Sequence, residues 1–279
     1  MKISKADMLC KLYGRLTKSR VEDILIITGK DMKDQAWETV RGISDRFGSR
    51  MIVVRSSSSN EDGMTESNAG HYESILNIRA DDEQAVTTAI EQVLDSYRVD
   101  LENVDDEQVL IQPQVDEISY SGVIFSREIK RDRPYYVITY DVDSTDAVTS
   151  GSGGRTVYIL RNAEADSVPK HWWVLIEAMR ELEGMFPDYP LDVEFAIDPH
   201  NVVTIFQLRP LAASINGCRT DVTDEEVFDA VRKAESQYAA IDDQLRDRNT
   251  ILSDMAFWNP AEIIGENPHP LDYSLYKEI

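Results

Sequence analysis

MIVVRSSSSNEDGMTESNAGHYESILNI, residues 51–78, is the stretch on which the reading of this chain turns. It opens with a short apolar run of strand type, Met51-Ile52-Val53-Val54, that ends on Arg55. Four serines follow, then the acidic pair Glu61-Asp62, a glycine, and the turn-forming Asn68-Ala69-Gly70. A second strand-like run, Ile75-Leu76-Asn77-Ile78, closes the stretch. A cation at a strand end, followed by hydroxyls, carboxylates and glycines, suits a polyphosphate and its metal. A solvated surface linker is the alternative that composition alone leaves open.

Working outward, strands and helices alternate irregularly. Residues 3–16 have a helical period and Ile24–Thr28 reads as a buried strand. A helix is expected over about Met32–Phe47, stopped by Gly48. Residues 82–98 carry the clearest apolar stripe, with Asp81 and Gln84 resembling a capping box. Val109–Gln112 reads as a strand ending on a polar amide, and residues 119–126 and 134–142 as two neighbouring strands around the charged turn Arg127–Arg133. Thr156–Leu160 adds a strand and residues 170–185 a helix whose Trp172 and Trp173 are packing residues. Thr223 with Glu226 opens a helix to about Arg246, and Asn249–Ile279 is rich in Asn and Pro. Strand pairs this close in sequence must be antiparallel, which points to an α+β fold and away from a doubly wound parallel sheet. Neither a GxGxxG nor a GxxxxGK[ST] motif occurs.

Composition limits the function classes. With 42% apolar and 29% charged residues, the chain has the profile of a folded domain with a substantial core. A net charge of −22 argues against nucleic acid and against an anionic membrane surface, but not against one nucleotide held by local cations and magnesium. Cys10 and Cys218 lie too far apart for metal-ligand spacing and read as free thiols. No apolar run spans a membrane and no signal-peptide core is present, so the expected setting is cytoplasmic.

A second informative stretch is LDVEFAIDPHNVVTIFQLRP, residues 191–210. Asp192, Glu194 and Ala196 share one face of its first strand, opposite Val193, Phe195 and Ile197. Gln207 and Arg209 share a face of the returning strand. Such a hairpin gathers two carboxylates, an amide oxygen and a guanidinium. One or two hard oxygen ligands, with phosphate and water completing the shell, are how magnesium is usually held on a nucleotide. An arginine beside them neutralises charge on a transferring phosphoryl group. An exposed hairpin with a surface ion pair is the plainer reading of the same residues.

The segment VRSSSSNEDG…SNAGHYESILN closely resembles the VRSS…ED…AG…LN signature of the nucleotide-binding (PEP/pyruvate-binding) domain of the phosphoenolpyruvate synthase and pyruvate phosphate dikinase family. VLIQPQV…SGVIFS resembles the strand-turn-strand of that domain, and DVEFAID…VTIFQLRP its metal-binding hairpin ending in Q-x-R-P. The three matches lie in order over roughly residues 50–210. The resemblance implies an ATP-grasp fold, two α+β lobes with ATP between them. It also implies transfer of a phosphoryl group from Mg-ATP to a carrier histidine on a separate domain, in cis or in trans, and thence to a small-molecule acceptor.

Carried over residue by residue, the resemblance implies that Arg55 holds ATP phosphates and that Gly70 and Ser74 lie in the loop closing over them. Gln112 would sit near the adenine, Glu194 and Gln207 would be magnesium ligands, and Arg209 would contact the γ-phosphate. Asp192 is a second-metal or outer-sphere candidate. Ser4-Lys5-Ala6-Asp7-Met8-Leu9 faintly resembles the family's G-K-G-A-N-L without its glycines, which makes Lys5 a candidate phosphate contact or an ordinary exposed lysine. The four histidines, His71, His171, His200 and His269, do not follow a glycine pair as the family's acceptor does. Each is better explained as a loop or packing residue.

The expected organisation is a first lobe over 1–110 with a phosphate-binding loop at 55–74. A second lobe over 111–215 would carry the hairpin at 191–210, and a helix and tail over 216–279 would lead towards a further domain. The expected activity is an ATP-dependent phosphotransferase, incomplete as this chain alone, either truncated or a subunit whose partner carries the histidine. The alternatives are a direct ATP-grasp kinase acting on an amide or antibiotic, and a nucleotide-binding module without turnover.

Overall fold

The computed structural model describes residues 4–57, 74–99, 101–129, 132–142, 154–211 and 222–245, with side chains to residue 236. Gly70, Glu61, Asp62, His71, His269, Cys218 and the tail beyond 245 lie outside the described residues. In chain order the elements are α1 (Lys5–Leu12), β1 (Leu25–Thr28), α2 (Gly29–Phe47), β2 (Met51–Ser57), β3 (Ser74–Arg79), α3 (Glu83–Arg98) and β4 (Gln108–Pro113). There follow β5 (Tyr120–Phe125), β6 (Tyr135–Val142), β7 (Arg155–Leu160), α4 (Lys170–Met185), β8 (Leu191–Ile197), β9 (Val203–Pro210) and α5 (Asp224–Leu245). Met1–Phe228 make one compact unit, and Asp229–Ile279 a second.

The strands form two sheets, ordered β1-β4-β2-β3 and β7-β6-β5-β8-β9, and their ladders are all antiparallel. This is the pairing that the short sequence separations dictate. β4 runs across position 110 and pairs with β1 and β2 as far as Pro113.

Element boundaries differ from expectation in places, and α1 ends at Leu12 rather than near residue 16. α2 begins at Gly29 rather than near Met32, because Thr28 and Asp31 form a reciprocal capping box that starts the helix a turn earlier. α3 is capped by Asp82, whose side chain accepts from the Ala85 N–H; Asp81 is drawn away by a 2.7 Å pair with Arg79. The Thr223–Glu226 capping box forms as expected and opens α5.

Each sheet packs helices on one face. α2 and α3 cover the Ile52, Val54, Val109 and Ile111 face of the first sheet. α4, with Trp172, Leu175, Ile176, Met179 and Leu182, covers the Ile124, Ile138, Val193 and Phe195 face of the second. Burial of each such side chain contributes roughly 1.5–3 kcal/mol before chain entropy is counted. α1 joins this second core through Ala6, Met8, Leu9 and Leu12. Leu110, from the opposite face of the first sheet, joins it too, so that this face turns toward the second sheet.

Arg20 extends the second sheet as a single parallel bridge to Thr204. Its N–H donates to the Val203 carbonyl, and its own carbonyl accepts from Ile205.

Candidate active site

Strand alternation sets out the site. Arg55 is opposite Leu110 on β4 and opposite Ser74 on β3, so its side chain leaves the face of the first sheet away from α2 and α3. Gln112 is on that same face, opposite Val53 and buried. In the second sheet, Asp192 is opposite Arg209 and Glu194 opposite Gln207, on the face away from α4. The hairpin thus carries two carboxylates, an amide and a guanidinium on one side.

The two sheets meet through these groups. Arg55 Nη2 donates to Glu194 Oε2 at 3.2 Å, and Arg55 Nη1 to the Phe206 carbonyl at 3.2 Å. Phe206 is available because the β8–β9 register shifts there: Glu194 faces Gln207 while Phe195 faces Ile205, leaving Phe206 as the extra residue of a bulge. Arg209 Nε donates to Asp192 Oδ2 at 2.7 Å, and Asp192 is buried. Gln207 is also buried.

Lys5 is not an exposed lysine. It is buried in the first turn of α1, close enough to Glu194 for the two charges to interact. Burial pushes the Glu194 carboxyl up, but the Arg55, Lys5 and Arg209 charges outweigh it and hold the carboxyl below the usual carboxylate range. Lys5, Arg55 and Arg209 therefore gather around the two carboxylates Glu194 and Asp192. The excess is positive, in a chain whose net charge is −22. Such a site favours a ligand bearing several negative charges.

The donor set also fits a divalent cation. Glu194 and Gln207 are a cross-strand pair, two oxygen donors at the spacing of neighbouring side chains, with Asp192 two residues along. Among the described residues, no group of three or more His, Cys, Asp or Glu side chains is gathered to hold a metal unaided.

Sequence reasoning passed over Ser57, Gln108 and Tyr97, which hold the strand end and α1 together. The signal for Ser57 was hidden in a serine run, and Tyr97 read simply as part of an apolar stripe. The two described histidines behave as expected. His171 stacks on Tyr120 with ring centroids 4.6 Å apart, and the His200 N–H donates to Asp198 in the β8–β9 turn.

A cation-bearing face of the first sheet thus lies opposite an oxygen-rich hairpin of the second. Residues 17–152 match the family described as the pyruvate phosphate dikinase AMP/ATP-binding domain. The resemblance read from the sequence is thereby borne out. The chain is also similar to the uncharacterized phosphotransferase YvkC of Bacillus subtilis strain 168. The two are 25% identical over 224 aligned positions that cover 65% of this chain and 26% of the relative. The chain therefore spans about a quarter of that relative's length.

Among solved structures, PH1788 from Pyrococcus horikoshii Ot3 is 14% identical, with 74% of this chain and 89% of that chain covered at a TM-score of 0.47. The dinucleotide-forming acetyl-coenzyme A synthetase 1 of Ca. Korarchaeum cryptofilum, in complex with coenzyme A, Ca-AMPCP and HgCl+, is 13% identical, covering 68% and 85% at 0.43. The D-alanine-D-alanine ligase from Coxiella burnetii is 14% identical, covering 75% and 48% at 0.38. The expected α+β fold class holds, with two antiparallel sheets. Among the described residues, no helix is long and apolar enough to cross a membrane.

Proposed function

We propose that this chain is the ATP-handling part of a cytoplasmic phosphotransferase. It takes up Mg-ATP between its two sheets and passes a phosphoryl group to a carrier histidine on a separate domain, and thence to a small-molecule acceptor. The observation that carries this reading is the Arg55–Glu194 bond, which joins the end of β2 to the β8–β9 hairpin with Lys5 and Arg209 alongside.

In this reading Arg55 and Lys5 bind the phosphates, and Arg209, anchored by Asp192, contacts the terminal one. Gly70 belongs to the loop over the phosphates, Ser74 opens β3 opposite Arg55 rather than lying in that loop, and Gln112 lies toward the adenine. Glu194 and Gln207 hold magnesium, with Asp192 as a further oxygen donor; the ion supplies charge neutralisation on the phosphate oxygens. Arg55 exchanges Glu194 for phosphate as the nucleotide enters. An imidazole nitrogen of the carrier then attacks phosphorus while the bond to the bridging oxygen breaks, and the electron pair stays on that oxygen of the departing nucleotide. Positioning and charge neutralisation provide the rate enhancement, so no general base is required of this chain.

Among the described residues, His171 and His200 serve packing and a turn, which supports a carrier histidine supplied by another domain. A division into two lobes and a last segment over 216–279 leading toward a partner domain is part of the same proposal, with the first boundary after β4 at Pro113 rather than at 110.

The test is calorimetry of ATP binding with and without magnesium, on the wild-type chain and on Glu194→Gln. The wild type binds ATP at least about tenfold more tightly with the metal, and the variant loses that difference while still binding metal-free ATP. A wild type indifferent to magnesium removes the metal site, and one that binds no ATP removes the whole reading. Positional isotope exchange in ATP that needs an added histidine domain supports the carrier route. Exchange that needs only an amide or antibiotic acceptor supports direct transfer.

A further inference from the structure

Lys5 sits beside Glu194 although the glycines expected around such a lysine are replaced by Ser4 and Ala6. Both of these neighbours are hydrogen-bonded to one cross-strand pair. Ser4 Oγ donates to Gln108 Oε1 at 2.7 Å, and the Ala6 N–H donates to Ser57 Oγ at 2.8 Å. Gln108 Nε2 also reaches Asp7 at 3.4 Å. Ser57 and Gln108 are the last pair of the β2–β4 ladder.

The Tyr97 hydroxyl bridges the main chains of that pair, accepting from Ser57 N at 2.6 Å and donating to Gln108 O at 2.7 Å. Tyr97 comes from α3 on the opposite face of the sheet and is wholly buried. The strand ends are thus gripped from both sides, by α3 through the phenol and by α1 through its first turn. Both polar ends of the phenol bridge are satisfied, so the arrangement is fixed rather than adaptable.

We propose that Ser57 and Gln108, bridged by the Tyr97 hydroxyl, are positioning residues that hold Lys5 in the phosphate site in place of a glycine-rich turn. The inference rests on the reading of Lys5 as a phosphate contact, but its geometry can be tested apart from ATP. Without the hydroxyl, Ser57 N and Gln108 O close on each other or are left unpaired. Either outcome shifts the two side chains that grip Ser4 and Ala6.

The experiment measures Mg-ATP binding to the full chain for wild type, Tyr97→Phe, Lys5→Met, Arg55→Met and the two pairings of Tyr97→Phe with these. Tyr97→Phe alone weakens binding about fivefold, the scale of one hydrogen bond. In the Lys5→Met background it has no further effect, whereas in the Arg55→Met background it retains its full effect. An equal effect of Tyr97→Phe in both backgrounds overturns the proposal, because the hydroxyl would then act through the fold at large.

Amine acetylation, followed residue by residue by mass spectrometry, gives a readout that needs no nucleotide. In the wild type Lys5 reacts far more slowly than Lys33, whose side chain is 65% exposed. Tyr97→Phe accelerates Lys5 alone. Unchanged Lys5 protection in Tyr97→Phe overturns the positioning role whatever ATP does, while absence of ATP binding by the wild type overturns only the functional reading. Should Tyr97→Phe fail to fold, Ser57→Ala removes only the acceptor of the Ala6 N–H and is held to the same two readouts.

Discussion

Replacing Arg55 with methionine keeps much of the side-chain bulk and removes the charge that joins the two sheets. Arg55 and Glu194 are 15% and 20% exposed as side chains and meet at 3.2 Å. At an effective dielectric of about 20, opposite charges about 4 Å apart attract by about 4 kcal/mol, and desolvation offsets part of this. Removing one partner of a buried pair costs about 3–5 kcal/mol when the other is left alone. Glu194 is not left alone, because Lys5 and Arg209 remain near it. A loss of about 2 kcal/mol at pH 7 is therefore expected. For a unit spanning Met1–Phe228 this lowers the melting temperature by about 4–8 °C.

The loss should also depend on pH. The folded-state pKa of Glu194 lies below its unfolded value, so its contribution is complete above the ordinary carboxylate range and disappears as pH falls through the depressed value. Wild type and Arg55→Met should thus differ most near neutrality and converge in acid. Urea unfolding at a series of pH values measures this. A difference that is absent at pH 7, or equally large in acid, refutes the electrostatic account of the contact.

Two further outcomes concern the frame. At Gly122, an added Cβ would lie 2.0 Å from the Thr139 carbonyl oxygen and 2.8 Å from the Tyr140 Cα. Because both atoms are backbone of the paired strand, Gly122→Ala should cost at least about 3 kcal/mol, seen as a melting temperature lowered by about 6 °C or more by circular dichroism. Thr28→Ala removes one half of the α2 capping box and should cost about 1 kcal/mol in urea unfolding while leaving Mg-ATP affinity unchanged.

The elements of this fold were largely legible in the sequence, because alternation and helical period are local signals. Lys170–Met185 and Leu191–Ile197 have the bounds that pattern alone gave. The shared face of Asp192, Glu194, Gln207 and Arg209 followed from strand geometry in the same way. Capping was harder to read, since Asp81 and Asp82 are equally good caps by chemistry and only the pull of Arg79 separates them.

What sequence pattern alone left open were contacts set by packing over long separations. The Arg55–Glu194 bond spans 139 residues, and pattern alone offered either a phosphate site or an unremarkable linker for one half and a surface ion pair for the other. Lys5 was ambiguous for the same reason. Nothing local distinguishes a buried lysine in a first helical turn from a solvated one. The bulge at Phe206 depends on a one-residue mismatch between two strands, which neither strand shows by itself.

α1 belongs to both halves of the molecule at once. Its first turn is bonded to Ser57 and Gln108 of the first sheet, while Leu9 and Leu12 are sunk among residues of the second. A fragment trimmed to residues 17–152 would therefore discard this splint as well as the hairpin bearing Glu194. The segment by which the chain is recognised is thus not a unit that can be cut out with its chemistry intact.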